Sequence, residues 1–302
     1  MPYADRVNPY DTYTSPLASR NASPRMLTLW SARHKFNTWR RIWLAVARAQ
    51  HEMALPVSME QVEELRDAVA RGITDDELRA AEKYERDLRH DVMAHVHALG
   101  DSCPKARGII HLGMTSQDVV CNADLSILTQ AMCLVLSKAE RCAVALASSA
   151  ERCKSIPTLA FTHYQPAQPT TVGRRAAQWA YEISLAANRL RGTLTQLAST
   201  RRGLRGATGT QASYLALFDN QGPKVDELEA RFVFALQDEG WEVANAFTLQ
   251  SQTYPRVVDT FILADLASIA CILHKIATDI RLLCNRKELD EPFEEKQIGS
   301  SA

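Results

Sequence analysis

The side chain best suited to chemistry is His163, because an imidazole can give or take a proton near neutral pH. It lies in Ile156–Thr171, with Thr162 and Gln165 beside it and Pro157, Pro166 and Pro169 around it. Three prolines in so short a run forbid a continuous helix and favour an irregular bend that could hold a polar side chain still. A capped turn whose histidine bonds only a backbone carbonyl would carry the same residues. A second cluster is Arg89-His90-Asp91-Val92-Met93-Ala94-His95-Val96-His97. Three histidines with an aspartate raise the question of a metal. The spacing lacks a His-His pair four residues apart and has no cysteine support, so a polar helix face looking into a cleft is expected and no metal is. A third is Gly113-Met114-Thr115-Ser116-Gln117-Asp118, where Thr115 or Ser116 can cap the next helix and Asp118 sits in its first turn. Free amides and hydroxyls at such an end can receive a carboxylate or phosphate, although capping alone accounts for them. Ser15–Pro24, which contains Arg20, could cradle a phosphate or form a surface turn, and Arg201-Arg202-Gly203-Leu204-Arg205 could hold a small anion.

These residues must be positioned by helices. Residues 1–30 read as an extended arm. Helical spacing begins near Ser31, with Phe36, Trp39, Trp43, Val46 and Met53 on one face, and Pro56 ends it. Ser58 with Gln61 and Thr74 with Glu77 are capping boxes. The second should open a helix running to Leu99 and closed by Gly100. A long helix is expected from the Thr115-Ser116 cap to Cys153, another from Thr171 to Thr200, and a third on the heptad run Ile262, Leu266, Ile269, Leu273, Ile276, Ile280 and Leu283. Between them, a glycine-rich break at Gly203–Gly209 precedes a helix starting at Pro223. With no convincing strand alternation, the expected fold is all-α, with three long helices forming part of a bundle.

The chain has 302 residues, with Lys+Arg and Asp+Glu both 35. Zero formal charge argues against a nucleic-acid or anionic-membrane partner. No uninterrupted apolar run reaches bilayer length and no signal peptide is evident. Seven scattered cysteines, none in a Cys-x-x-Cys pair, fit a reducing, cytoplasmic setting.

Taken in order, Arg89–His95, Gly113–Ser116, Thr162-His163-Tyr164-Gln165-Pro166-Ala167-Gln168 and the terminal Gln297-Ile298-Gly299-Ser300-Ser301-Ala302 resemble the eukaryotic-type adenylosuccinate lyase family of the fumarase/aspartase superfamily. The resemblance runs from Ser15 to the last residue. It implies β-elimination of fumarate from adenylosuccinate, giving AMP, and from the related succinylated imidazole-carboxamide ribotide (SAICAR, giving AICAR). It implies His163 as general acid and Ser300 as general base, with Ser301 as the alternative base and His90 orienting beside them. It places Thr115, Ser116, Thr162 and Gln252 at the succinyl carboxylates, and Arg20, Arg89 and Asp91 at the nucleotide. No cofactor is implied, and the partner is a further copy of the chain, in a homotetramer whose active sites are shared between subunits. The implied division is an N-terminal helical domain, 1–112, and an incomplete central bundle domain, 113–302, without the family's C-terminal domain. Two departures stand out. Asn21 occupies a position where the family carries tyrosine, and the chain stops inside the signature loop before its lysine, so the 302-residue chain itself is expected to be inactive or nearly so. Argininosuccinate lyase or fumarase chemistry, or a non-catalytic helical scaffold, are the competing expectations.

Overall fold

A short polar side chain marks the start of each early helix. The computed structural model describes residues 15–290, 292 and 294–297. Ser23 caps α1 (Pro24–Leu29) and Ser31 caps α2 (Ala32–Glu52), accepting the N–H groups of Met26 and His34. Both capping boxes form, opening α3 (Met59–Arg71) and α4 (Asp75–Leu88). The described part of the expected N-terminal arm is helical rather than extended. It makes a π-helical turn, Leu17–Asn21, and then α1, because Ser23 supplies a cap and Pro24 suits the first helical position.

The helix expected from Thr74 to Leu99 is two helices. Arg89 turns to φ 54°, and His90 becomes the cap of α5 (Asp91–Ser102). Gly100 therefore lies inside α5 rather than ending a helix. There it is buried beside Arg107, whose Cγ would stand 3.0 Å from an added Cβ.

The described residues form two compact units. The first takes in residues up to Ala131 together with Gln196–Pro255. It holds α1 to α5 and the start of α6 (Ser116–Arg152). It also contains β3 (Thr200–Arg201), α8 (Ala212–Leu217), α9 (Gly222–Asp238) and β4 (Asn245–Ala246), which pairs in parallel with β3. α2 packs on α3 and α9 around Trp39, Trp43, Leu65, Leu99, Tyr214 and Phe232, all buried. The second unit comprises Met132–Thr195 and the described residues from Arg256 onward. It holds the later part of α6, most of α7 (Val172–Ala198) and α10 (Val257–Asn285). Ile183 and Leu190 of α7 and Ile262, Ile269 and Ile276 of α10 are buried at helical spacing. Arg189 and Thr193 both donate to the buried Asp265 of α10. The boundary expected at 112/113 falls in the turns before α6, whereas the compact units part within that helix.

The fold is mostly helical, as the periodicity predicts, but the proline-rich stretch is not irregular. It forms a β-hairpin of β1 (Pro157–Thr162) and β2 (Gln165–Thr171), registered Pro157↔Thr171 to Thr162↔Gln165 with an irregularity between Leu159 and Phe161. The connection is two residues, His163 and Tyr164, with φ 53° and 57°. Positive φ at both central positions is the turn that matches the twist of paired strands, and prolines are tolerated on such an edge.

α6 and α10 are also long and apolar enough to cross a membrane by length and composition. Core helices of folded proteins meet the same criteria, and charged residues such as Asp265 leave no uninterrupted apolar run of bilayer length in α10.

Candidate active site

His90 joins two helix starts. Its Nδ1 accepts the Met93 N–H at 3.2 Å, capping α5, and its Nε2 lies 3.3 Å from Ser116 Oγ at the first residue of α6. Because Nδ1 is the acceptor, the proton of the neutral ring resides on Nε2, which donates to the serine oxygen. Arg89 and Asp91 flank it and are exposed, and Asp91 Oδ1 accepts the Val92 N–H at 2.7 Å.

Gly113 brings the chain to that point. At φ +75°, a Cβ there would lie 2.8 Å from Leu217 Cδ1, so the turn needs glycine. Thr115 does not cap α6 with its hydroxyl. Its N–H donates to Asp118 Oδ2 at 2.9 Å, and its Oγ1 instead accepts from Gln252 Nε2 at 3.2 Å. Gln252 Oε1 in turn accepts the Thr208 N–H at 2.5 Å. Thr208 has φ 58°, a conformation a β-branched residue rarely adopts. His90, Ser116, Thr115 and Gln252 thus form one run of polar groups, with hydroxyl and amide donors suited to carboxylate oxygens.

Asp118 holds this run in place. Its carboxylate accepts from Arg202 NH1, from the Arg205 and Gly206 N–H groups (3.0 and 3.2 Å), from Thr115 N–H and from Tyr214 OH at 3.1 Å. Asp118 and Arg202 are both fully buried, where a charge persists only if paired and hydrogen-bonded. Asn122 completes the clamp, exchanging bonds of 3.0 Å with both the N–H and the carbonyl of Gly203. Burial and the Asp118 charge push the Tyr214 phenol well above its ordinary range. Burial likewise raises the Glu229 carboxyl, although Arg205, 2.9 Å away, opposes this. His111, which accepts from Trp43 Nε1 at 3.2 Å, is lowered to about 4 by burial.

The other expected residues lie on other elements. Thr162 and His163 are exposed at the hairpin tip in the second unit, and Arg20 is exposed on the π-helical turn. Ser300 and Ser301 lie outside the described residues. The single helix expected to carry His90 and His97 on one face is interrupted at Arg89, and the three rings of the cluster take separate partners. His95 is buried and stacked 3.6 Å from the Phe36 ring, and His97 stacks on Tyr84 at 5.2 Å. Sequence reasoning missed Thr208, Tyr214 and the full part played by Asp118, and offered Arg202 to a small anion where it pairs with Asp118. The glycine run beside Arg202 and Arg205 was the signal that a tight, charge-bearing loop lay there.

The family described as Lyase matches residues 18–302, and the chain belongs to it. Among curated relatives, it is 45% identical over 294 residues to the adenylosuccinate lyase of Saccharomyces cerevisiae, covering 97% of this chain and 59% of that protein. The Schizosaccharomyces pombe adenylosuccinate lyase shows the same identity and coverage, and that of Schistosoma mansoni is 41% identical, with 98% and 60% covered. The chain therefore spans about three-fifths of the length of these relatives. Solved structures share the fold at low identity. A fumarate lyase from Mesorhizobium sp. BNC1 superposes with TM-score 0.74 at 23% identity, covering 87% of this chain and 58% of that one. A 3-carboxy-cis,cis-muconate lactonizing enzyme from Pseudomonas putida gives 0.73 at 23%, covering 88% and 57%.

Proposed function

We propose that this chain is the larger part of an adenylosuccinate lyase, which eliminates fumarate from adenylosuccinate to give AMP and from SAICAR to give AICAR. The observation that carries the proposal is the 45% identity to curated adenylosuccinate lyases across nearly the whole chain. In this reading Ser300 removes the proton from the carbon next to a succinyl carboxylate, with Ser301 the alternative. The electron pair passes through an aci-carboxylate dianion to form the C=C bond of fumarate as the C–N bond breaks. His163 delivers a proton to the departing nitrogen. Thr115, Ser116, Thr162 and Gln252 bind the carboxylates, where hydrogen bonds that strengthen with developing charge lower the barrier. Arg20, Arg89 and Asp91 hold the nucleotide, and His90, tethered to Ser116, orients. No cofactor is required. The domain division is 1–112 and 113–302, and the enzyme is a cytoplasmic homotetramer with shared active sites.

The test uses the chain continued to the length of its curated relatives. Elimination is followed through release of fumarate from each succinylated substrate, argininosuccinate included. AMP and AICAR formation, falling on the order of a hundredfold or more in His163→Gln, is the expected result. Preference for argininosuccinate, or an unimpaired His163→Gln variant, overturns the proposal.

A further inference from the structure

A two-stranded hairpin is marginally stable by itself in water, and β2 is exposed over most of its length. Whatever fixes the tip at His163 must therefore come from outside the strands. Within the second unit, the end of α10 supplies it. Arg286 is the C-cap and Lys287 takes φ 60°. The Lys287 N–H bonds Cys284 O at 2.9 Å and the Glu288 N–H bonds Leu283 O at 3.0 Å. This six-to-one closure reverses the chain and carries Glu288 back toward the hairpin. Its Oε2 accepts from Thr158 Oγ1 at 2.9 Å, on β1, and from Arg175 NH1 at 2.6 Å, on α7. Its Oε1 accepts from Arg286 Nε at 3.1 Å. Arg175 also donates to Leu159 O at 2.5 Å, and the Arg286 guanidinium stands 3.8 Å over the Phe161 ring. At the tip, Tyr164 OH donates to Asn285 Oδ1 at 2.9 Å. Hairpin base, middle and tip are thus each tied to one helix end, and Glu288 joins the most partners.

We propose that Glu288 is a positioning residue for His163, a carboxylate latch that holds the hairpin at the aim proton transfer requires. The proposal deepens the lyase reading and rests on it. The latch differs from ordinary surface ion pairing in two respects. The carboxylate is only 22% exposed, and its three donors come from three separate segments, so losing it frees the hairpin instead of merely one side chain. A misplacement of about 1 Å is enough to cost on the order of a hundredfold in rate.

The experiment compares Glu288→Ala, Glu288→Gln, Lys287→Gly and His163→Gln in the chain continued to the relatives' length. It adds NMR relaxation of the His163 ring in the 302-residue chain with and without Glu288→Ala. Glu288→Ala should lower kcat roughly tenfold to a hundredfold with KM little changed. Glu288→Gln, which keeps an acceptor oxygen, should recover part of the loss, and Lys287→Gly, which keeps the carboxylate and relaxes the turn, should retain activity. Should Glu288→Ala fail to fold, the Glu288→Gln comparison decides. A loss confined to KM, or an unchanged kcat while His163→Gln abolishes turnover, overturns the latch and leaves the lyase reading intact. If His163→Gln is itself harmless, the lyase reading fails and takes the positioning role with it, whereas unaltered ring motion in Glu288→Ala overturns the latch alone.

Discussion

His90 and Ser116, which begin neighbouring helices, are linked at 3.3 Å through the imidazole Nε2, while the opposite ring nitrogen caps α5. One ring therefore does two separable things, and substitutions can part them. Asparagine is a good helix cap but too short to span to Ser116, whereas alanine can do neither. His90→Ala should lose about 1 kcal/mol of stability and His90→Asn much less. Chemical denaturation of the 302-residue chain checks this. In the chain continued to the relatives' length, both variants should lose turnover alike if orientation of Ser116 is what matters. Full activity in His90→Asn would rule that role out.

Asp118 carries five hydrogen bonds at a fully buried position, including the ion pair to Arg202. Removing one partner of such a pair leaves the other charge buried and uncompensated. Asp118→Ala should therefore cost about 3–5 kcal/mol, while Tyr214→Phe, which deletes a single bond, should cost nearer 1 kcal/mol. Urea unfolding midpoints of the two variants measure the difference, and equal midpoints would contradict the ranking.

Stability should fall with acidification at a pH set by buried histidine. Burial, with the Arg40 and Lys35 charges adding to it and Asp91 opposing, lowers His95 from 6.5 to about 4. The unfolded chain therefore takes up a proton near pH 6.5 that the folded chain refuses until about 4. The contribution is fully present above 6.5 and is lost as the pH falls toward 4. The loss amounts to roughly 3 kcal/mol at its limit, reached below pH 4. A His95→Leu variant, which keeps an apolar group against Phe36, should show a flatter stability profile between these values. An identical slope in both proteins would exclude His95 as its source.

Much of the fold is legible in the chain because helix caps and apolar periodicity act over a few residues. Ser31, Ser58 and Thr74 begin helices where their hydroxyls predict, and the spacing of Ile262, Ile269 and Ile276 predicts the buried stripe of α10. The break at Arg89 was not legible. It uses neither glycine nor proline, and its cap is a histidine ring in place of the usual hydroxyl or carboxylate. The hairpin was hidden for a related reason. Its two-residue turn is built on His163-Tyr164, without the Asn-Gly type of signal, and prolines stand in a strand.

Local composition by itself determined which residues could take part in proton transfer and carboxylate binding, because imidazoles, hydroxyls and amides carry their chemistry wherever they are placed. Only the tertiary structure decided which of them meet. Gln252 reaches Thr115, Asp118 gathers the loop at Gly206, and Glu288 ties down the hairpin across long stretches of chain. Each of those contacts depends on the path of the backbone between its partners, and that path is set by burial of the whole apolar surface, which no short motif records.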